Sequence, residues 1–218
     1  QISPVQKSIG DQWWARYQPV SYQHIDGLGS EQDLRSLCQK AEETGIIIIA
    51  DVVFNHMAVV ASRHEWLHAM ENHHKLEELH HRLEERFHPL DRTDFNPWKD
   101  MLGDDWDNEN RFEGWGAGEW SDLKPTDKVL SLHKAHLSKL VQCGVRGFRF
   151  DAAKHIRPET MEVYTTHVRR ELPSAFIYFE VLSADRGMHA LSLPVAKTTD
   201  FALCFALRDV VMKNHDTT

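Results

Sequence analysis

The chain has 218 residues, 25 Lys and Arg against 33 Asp and Glu, and a formal net charge of −8 with its 15 histidines neutral. With 41% hydrophobic residues it can bury a core, which excludes disorder and collagen-like order, and its length predicts one domain with room for a large excursion. The acidic balance without a basic block argues against a nucleic-acid partner, and no apolar run approaches the roughly 20 residues of a membrane span, so no membrane partner is expected.

The chain opens at Gln1-Ile2-Ser3-Pro4 without an initiator methionine, and no signal peptide is read in it. Ser30 offers a helix N-cap with acid in the first turn, Leu34, Leu37, Cys38 and Ala41 recur at helical spacing, and Gly45 stops the run. Ile46 to Phe54 is then nearly continuous and β-branched, the pattern of a strand buried on both faces in a parallel sheet. The same grammar returns from Thr126 through Val129, Leu130, Leu137 and Leu140 to Gly144, followed by a strand over Val145 to Phe150. It returns again from Pro158 to Pro173, followed by a strand over Ala175 to Val181. Ser183 to Leu193 then leads to a strand over Phe201 to Phe205, and Val210 to Met212 reads as one more. Cys38, Cys143 and Cys204 each lie beside apolar residues and read as buried thiols.

Residues 57–125 interrupt this alternation and are far longer than a strand-to-helix loop of roughly 2 to 6 residues. Glu65 to Phe87 places Leu76, Leu79, Leu83 and Phe87 at helical spacing among Glu, His and Arg, which predicts a surface helix with pairs such as Glu77 and His81. Beyond it, Trp98, Trp106, Trp115 and Trp120 alternate with Asp, Glu and Gly, a composition suited to carbohydrate stacking or an ion-holding loop.

Three carboxylates close the clearest strands: Asp51, Asp151 and Glu180. Strand C-termini are where parallel β/α barrels keep their catalysts. Arg149, two positions before Asp151 on the same side of the strand, predicts that Asp151 stays ionised. Glu180 has no basic neighbour in sequence, so burial is expected to keep it protonated, as a general acid requires. One charged and one protonated acid is the glycosidase pattern.

Asp51-Val52-Val53-Phe54-Asn55-His56, Gly147 to His155, Glu180-Val181 and Asn214-His215-Asp216 resemble the four ordered conserved regions of the α-amylase family of glycoside hydrolases. Trp13 to Tyr22 resembles the sugar-lining loop of its animal-type members. The resemblance implies an α/β fold, a (β/α)8 TIM-type barrel with an inserted domain after strand 3. In this chain strands 3 to 6 are clear, 2 and 7 partial, and 1 and 8 missing. Residues 1–56 and 126–218 would form the partial catalytic barrel, and 57–125 the inserted irregular domain with its His/Glu-rich helix.

The same resemblance implies retaining endo-hydrolysis of α-1,4 bonds in starch, glycogen and related α-glucan polysaccharides and oligosaccharides, by a secreted protein. Asp151 would be nucleophile, Glu180 acid and base, and Asp216 the third carboxylate. Arg149, His56 and His215 would orient the reacting sugar. Tyr17 would stack beneath it with Trp13, Trp14 and Gln18 beside it, and Lys154 and His155 would face the leaving group. Asn55, Asp122 and the His155 carbonyl match the family's Ca2+ positions, a hard-oxygen set. Arg149 and Asn214 match two of three chloride residues, which leaves chloride open.

Two features strain the match. A barrel takes about 250 residues, more than this chain holds outside the excursion. A parallel crossover takes about a dozen residues, and only Ala206 to Asp209 separate the last two expected strands. A glucan-binding fragment with weak turnover is therefore the alternative. A second alternative is His64-Glu65-Trp66-Leu67-His68, a literal His-Glu-x-x-His, which on a helix presents two imidazoles and a base as zinc proteases do, with His74 where a third ligand could fall.

Overall fold

The computed structural model describes residues 1–192 and 194–215, with side chains described as far as Met212. In chain order the elements are β1 (Gln6–Ser8), β2 (Pro19–Ile25), α1 (Glu31–Glu43), β3 (Ile49–Val53), β4 (His56–Val59), α2 (Arg63–Met70) and α3 (His73–Phe87). There follow β5 (Trp120–Asp122), α4 (Asp127–Cys143), β6 (Gly147–Asp151), α5 (Pro158–Glu171), β7 (Phe176–Phe179), α6 (Arg186–Ser192), β8 (Lys197–Thr198) and α7 (Phe201–His215).

β3, β6, β7 and β8 form one parallel sheet in that order, and Ile2 adds a single parallel bridge to Ala50 on the outer edge of β3. Each strand is delivered by a helix whose ends are written in the sequence. Ser30 accepts from the Asp33 amide while Asp33 accepts from the Ser30 amide, a reciprocal cap for α1. Thr126 caps α4 through the Val129 amide. Gly144 ends α4 at φ +102°, and a β-carbon there would stand 2.8 Å from Cys38 Cβ, so glycine serves both the turn and the close approach of α1 to α4.

Ala50, Val52, Leu137, Leu140, Val145, Phe148, Phe150 and Val168 are fully buried between the sheet and α4 and α5. Large aliphatic or aromatic side chains buried this way contribute about 1.5–3 kcal/mol each. The result is the incomplete parallel β/α barrel expected, with the helices outside and the strand C-termini on one rim.

Residues 57–125 return to the barrel by pairing β4 with β5 antiparallel, with His56 opposite Asp122. Leu79, Leu83 and Phe87 bury the expected stripe. The single helix predicted over 65–87 is two: Asn72 breaks it and caps α3 through the His74 and Lys75 amides. Glu77 pairs with Arg92 at 2.8 Å rather than with His81, which pairs with Glu85 at 3.3 Å, because Arg92 brings a permanent charge.

The end of the chain departs most. The expected strands Phe201 to Phe205 and Val210 to Met212 are both part of the helix α7, and the sixth barrel strand is the short β8 just before it. Asp200 caps α7 through the Leu203 amide at 2.9 Å, and a short apolar run does not by itself distinguish strand from helix. Leu203, Leu207, Val210, Val211 and Met212 are at least half exposed, and Cys204 is exposed rather than buried, because α7 packs on little. No helix among the described residues is long and apolar enough to cross a membrane.

Candidate functional site

The β3–β6 register sets Asp51 opposite Arg149, and the β6–β7 register sets Arg149 opposite Tyr178, two residues before Glu180. Because side chains alternate, Asp51, Arg149 and Asp151 project to the same face. The Arg149 guanidinium consequently gathers three acids: Nη1 lies 2.5 Å from Asp51 Oδ2 and 2.9 Å from Asp151 Oδ1, and Nη2 lies 2.6 Å from Glu180 Oε1. Asp51 also accepts from the Tyr17 hydroxyl at 2.8 Å.

The three acids share one guanidinium in a poorly hydrated place, and this overturns two expectations. Glu180 does have a basic partner, supplied by the neighbouring strand, where sequence adjacency cannot show it. For Asp151 the pull of Arg149 is outweighed. Burial, then the charges of Glu180 and Asp51, push its carboxyl well above the ordinary range despite Arg149. Burial likewise raises Asp51 to about 6. Burial works against the charge on Arg149, but Asp51, Asp151 and Glu180 together hold it firmly protonated.

Ala152, directly after Asp151, takes φ +49°, a left-handed conformation that costs a non-glycine residue about 1–2 kcal/mol. The turn aims its amide at Glu180 Oε2, 3.0 Å away. Backbone strain next to the acids, holding a donor on one of them, marks a functional place.

Around the acids lies a cleft of about 690 Å³. One wall is Trp13, Trp14, Tyr17 and Gln18, with Trp13 77% exposed. Gln18 accepts from the Val59 amide, which ties this wall to β4. His56 contacts the Tyr17 carbonyl at 3.0 Å and stacks on Trp120, and burial lowers its pKa to about 4, so it is a neutral imidazole. The other wall holds Lys154, His155, Trp106 and Leu182. His155 contacts the Arg111 carbonyl at 3.2 Å and is kept neutral mainly by burial, at about 4.

Of the expected site residues the structure therefore brings together Asp151, Glu180, Arg149, Trp13, Trp14, Tyr17, Gln18, His56, Lys154 and His155. Asp216 and the side chain of His215 lie outside the described residues, as does that of Asn214. Asn214 and His215 lie on α7, not at a strand end. Sequence reasoning assigned no role to Asp51, although it stands at the centre of the network, and it missed Met101, Ala152 and Leu182 in the cleft. Trp106 and Trp120 line the cleft as their composition suggested, whereas Trp98 and Trp115 are spent on structure, donating to the Gly118 and Asn96 carbonyls.

Asp122 is 1% exposed, and among the described residues its side-chain partners are amides: Asn96 donates at 2.8 Å and Asn55 at 3.4 Å. Burial raises its pKa well above the ordinary value, and no cationic side chain among the described residues compensates it. Asn55, Asn96 and His155 line an adjoining cavity of about 260 Å³. Among the described residues no group of three or more His, Cys, Asp or Glu is set to hold a metal ion, so any cation here would draw on amide and carbonyl oxygens. In α2, Glu65 is engaged by the Ser62 cap and Arg82, and His68 contacts Lys75, so the His-Glu-x-x-His segment is tied up in helix structure.

Fold and site together define an incomplete parallel β/α barrel with a cluster of acids on its C-terminal rim, the architecture of a barrel glycosidase. Residues 1–188 match the model of the α-amylase catalytic domain, and the chain belongs to this family of glycoside hydrolases. It is 33% identical over 188 residues to an α-amylase of Aeromonas hydrophila, covering 78% of this chain and 40% of that protein. It is 30% identical over 204 residues to an α-amylase-related protein of Drosophila auraria, covering 88% of this chain and 40% of that one. The chain thus spans about two fifths of these relatives. Among solved structures, α-amylase I of Eisenia fetida superposes with a TM-score of 0.73 at 23% identity, over 93% of this chain and 43% of that one. The α-amylase of Geobacillus thermoleovorans, solved with acarbose, gives 0.68 at 18%, over 92% and 41%.

Proposed function

We propose that this chain carries a retaining glycosidase site acting within α-1,4-linked glucans such as starch and glycogen. The observation that supports it most is the placing of Asp151 and Glu180 on the two terminal nitrogens of one guanidinium, at 2.9 and 2.6 Å. Asp151 attacks the anomeric carbon while Glu180 protonates the leaving oxygen, then Glu180 takes a proton from the water that releases the sugar; this needs carboxyls about 5–5.5 Å apart. Burial favours the neutral form of Asp151, whereas attack needs its carboxylate, which Arg149 is placed to stabilise. Tyr17, Trp13 and Trp14 stack on sugar faces, with Gln18 beside them, His56, His215 and Arg149 orient the reacting ring, and Asp216 completes the acids. Reducing sugar released from starch, lost in Asp151→Asn and in Glu180→Gln, tests the reading.

A second reading is a glucan-binding chain with weak turnover. It is favoured by α7, which carries the segment leading to Asp216 on a helix. Starch binding with no release of reducing sugar would select it.

We also propose Ca2+ at Asp122, Asn55 and the His155 carbonyl. The buried, uncompensated Asp122 supports it, and an Asn55 amide turned about would present an oxygen. Bound there, the ion would neutralise Asp122 and join β5 to the segment after β6. Chloride at Arg149 and Asn214 stays an open expectation of the resemblance, with Arg149 Nε not used by the three carboxylates. A secreted location fits a polymeric substrate.

A further inference from the structure

Lys154 stands three residues after Asp151, and its side chain lines the cleft although it is only 8% exposed. Its ammonium donates to Asp107 Oδ1 at 3.0 Å and to the Leu182 carbonyl at 3.0 Å. Asp107 belongs to the loop over 103–113, and Leu182 follows β7, so one side chain ties that loop to the segment after β7 along one wall of the cleft. Tyr17 sits at the β3 side, bonded to Asp51, and Lys154 and Leu182 sit at the β6 and β7 side, so this tie lies away from the Trp13 and Trp14 wall. The loop is itself pinned there: Arg111 Nε donates to the Lys154 carbonyl at 3.2 Å, and Arg157 pairs with Glu113 at 2.9 Å.

We propose that Asp107 is a specificity-determining residue, holding Lys154 against Leu182 as a bar that a long glucan must displace and a short one need not. This rests on the glucan reading above. A carboxylate competes better for an ammonium than a neutral sugar hydroxyl does. Asp107 is 63% exposed, so the pair is screened by water and opens readily.

The test uses Asp107→Ala, with Glu109→Gln as control, because Glu109 lies in the same loop but faces Arg157 at 3.6 Å. The acetylation rate of Lys154 by acetic anhydride is read by mass spectrometry, and KM is measured on amylose and on a maltotriose-sized chromogenic substrate. Asp107→Ala should label Lys154 about two- to fivefold faster and lower KM for amylose by a similar factor, the range expected for an exposed pair. KM for the short substrate should hold, and Glu109→Gln should match the parent protein. Unchanged labelling, or an equal fall in KM on both substrates, would overturn the proposal. If no protein turns over amylose while Lys154 labelling rises as stated, the hydrolase reading falls and the bar stands.

Discussion

Arg149 Nη1 lies 2.5 Å from Asp51 Oδ2, and the two residues stand directly opposite in the β3–β6 register. Asp51 is fully buried and also accepts from the Tyr17 hydroxyl, so one carboxylate aligns the cation that gathers the other acids and the ring that floors the cleft. Asp51→Asn keeps the shape and removes the charge. Because Asp151 and Glu180 still pair with Arg149, the loss should be about 1–3 kcal/mol in urea unfolding, with turnover falling further than binding. Unchanged stability and turnover would show that Asp51 neither supports nor orients the cluster.

Stability should fall as the solution is acidified, through buried imidazoles. His136 and His133 are 1% exposed, each with an unpartnered Nε2, and burial lowers His136 from 6.5 to about 4 and His133 well below 6.5. Their folded values lie below the unfolded one, so the unfolded chain binds more protons and stability drains away as pH falls below 6.5 toward 4. His56 and His155, both at about 4, act in the same direction. Asp51, raised to about 6, and Asp151 and Asp122, both raised well above 3.8, act oppositely, since there the folded state takes the proton first. The four histidines outnumber these three acids. Urea midpoints should fall from pH 7 to pH 4.5, and His136→Gln should flatten the fall by about 1–3 kcal/mol.

The sequence carried the α/β units well, because their caps are local: Ser30 with Asp33, Thr126 with Val129 and Gly144 all act within a few residues. Strand-end acids were equally plain. What it concealed was lateral. Glu180 looked isolated because its cation stands on the next strand, and only the β6–β7 register brings Arg149 to it. The expectation that Arg149 sets the charge of Asp151 left out the burial of that carboxyl and the two further acids that share the guanidinium. At the other end, Phe201 to Met212 is apolar throughout, so its period could not separate strand from helix, and the Asp200 cap decided for helix.

Calcium should bind with release of a proton. Burial raises Asp122 well above 3.8 and so favours its protonated form in the absence of the ion, whereas a cation needs the carboxylate. Affinity should therefore rise with pH, and added Ca2+ should raise the melting temperature. Asp122→Asn should abolish that rise without lowering the melting temperature measured in chelator. A calcium response that survives Asp122→Asn would place the ion elsewhere.

The most direct measurement is the anomeric form and amount of sugar released from soluble starch by the purified chain in calcium. Asp151→Asn and Glu180→Gln are run alongside. The pairing of these two acids on Arg149 predicts products that appear first in the α-form, with turnover falling about 10²- to 10⁴-fold in each variant. Products first in the β-form, or turnover that both substitutions leave intact, would contradict it.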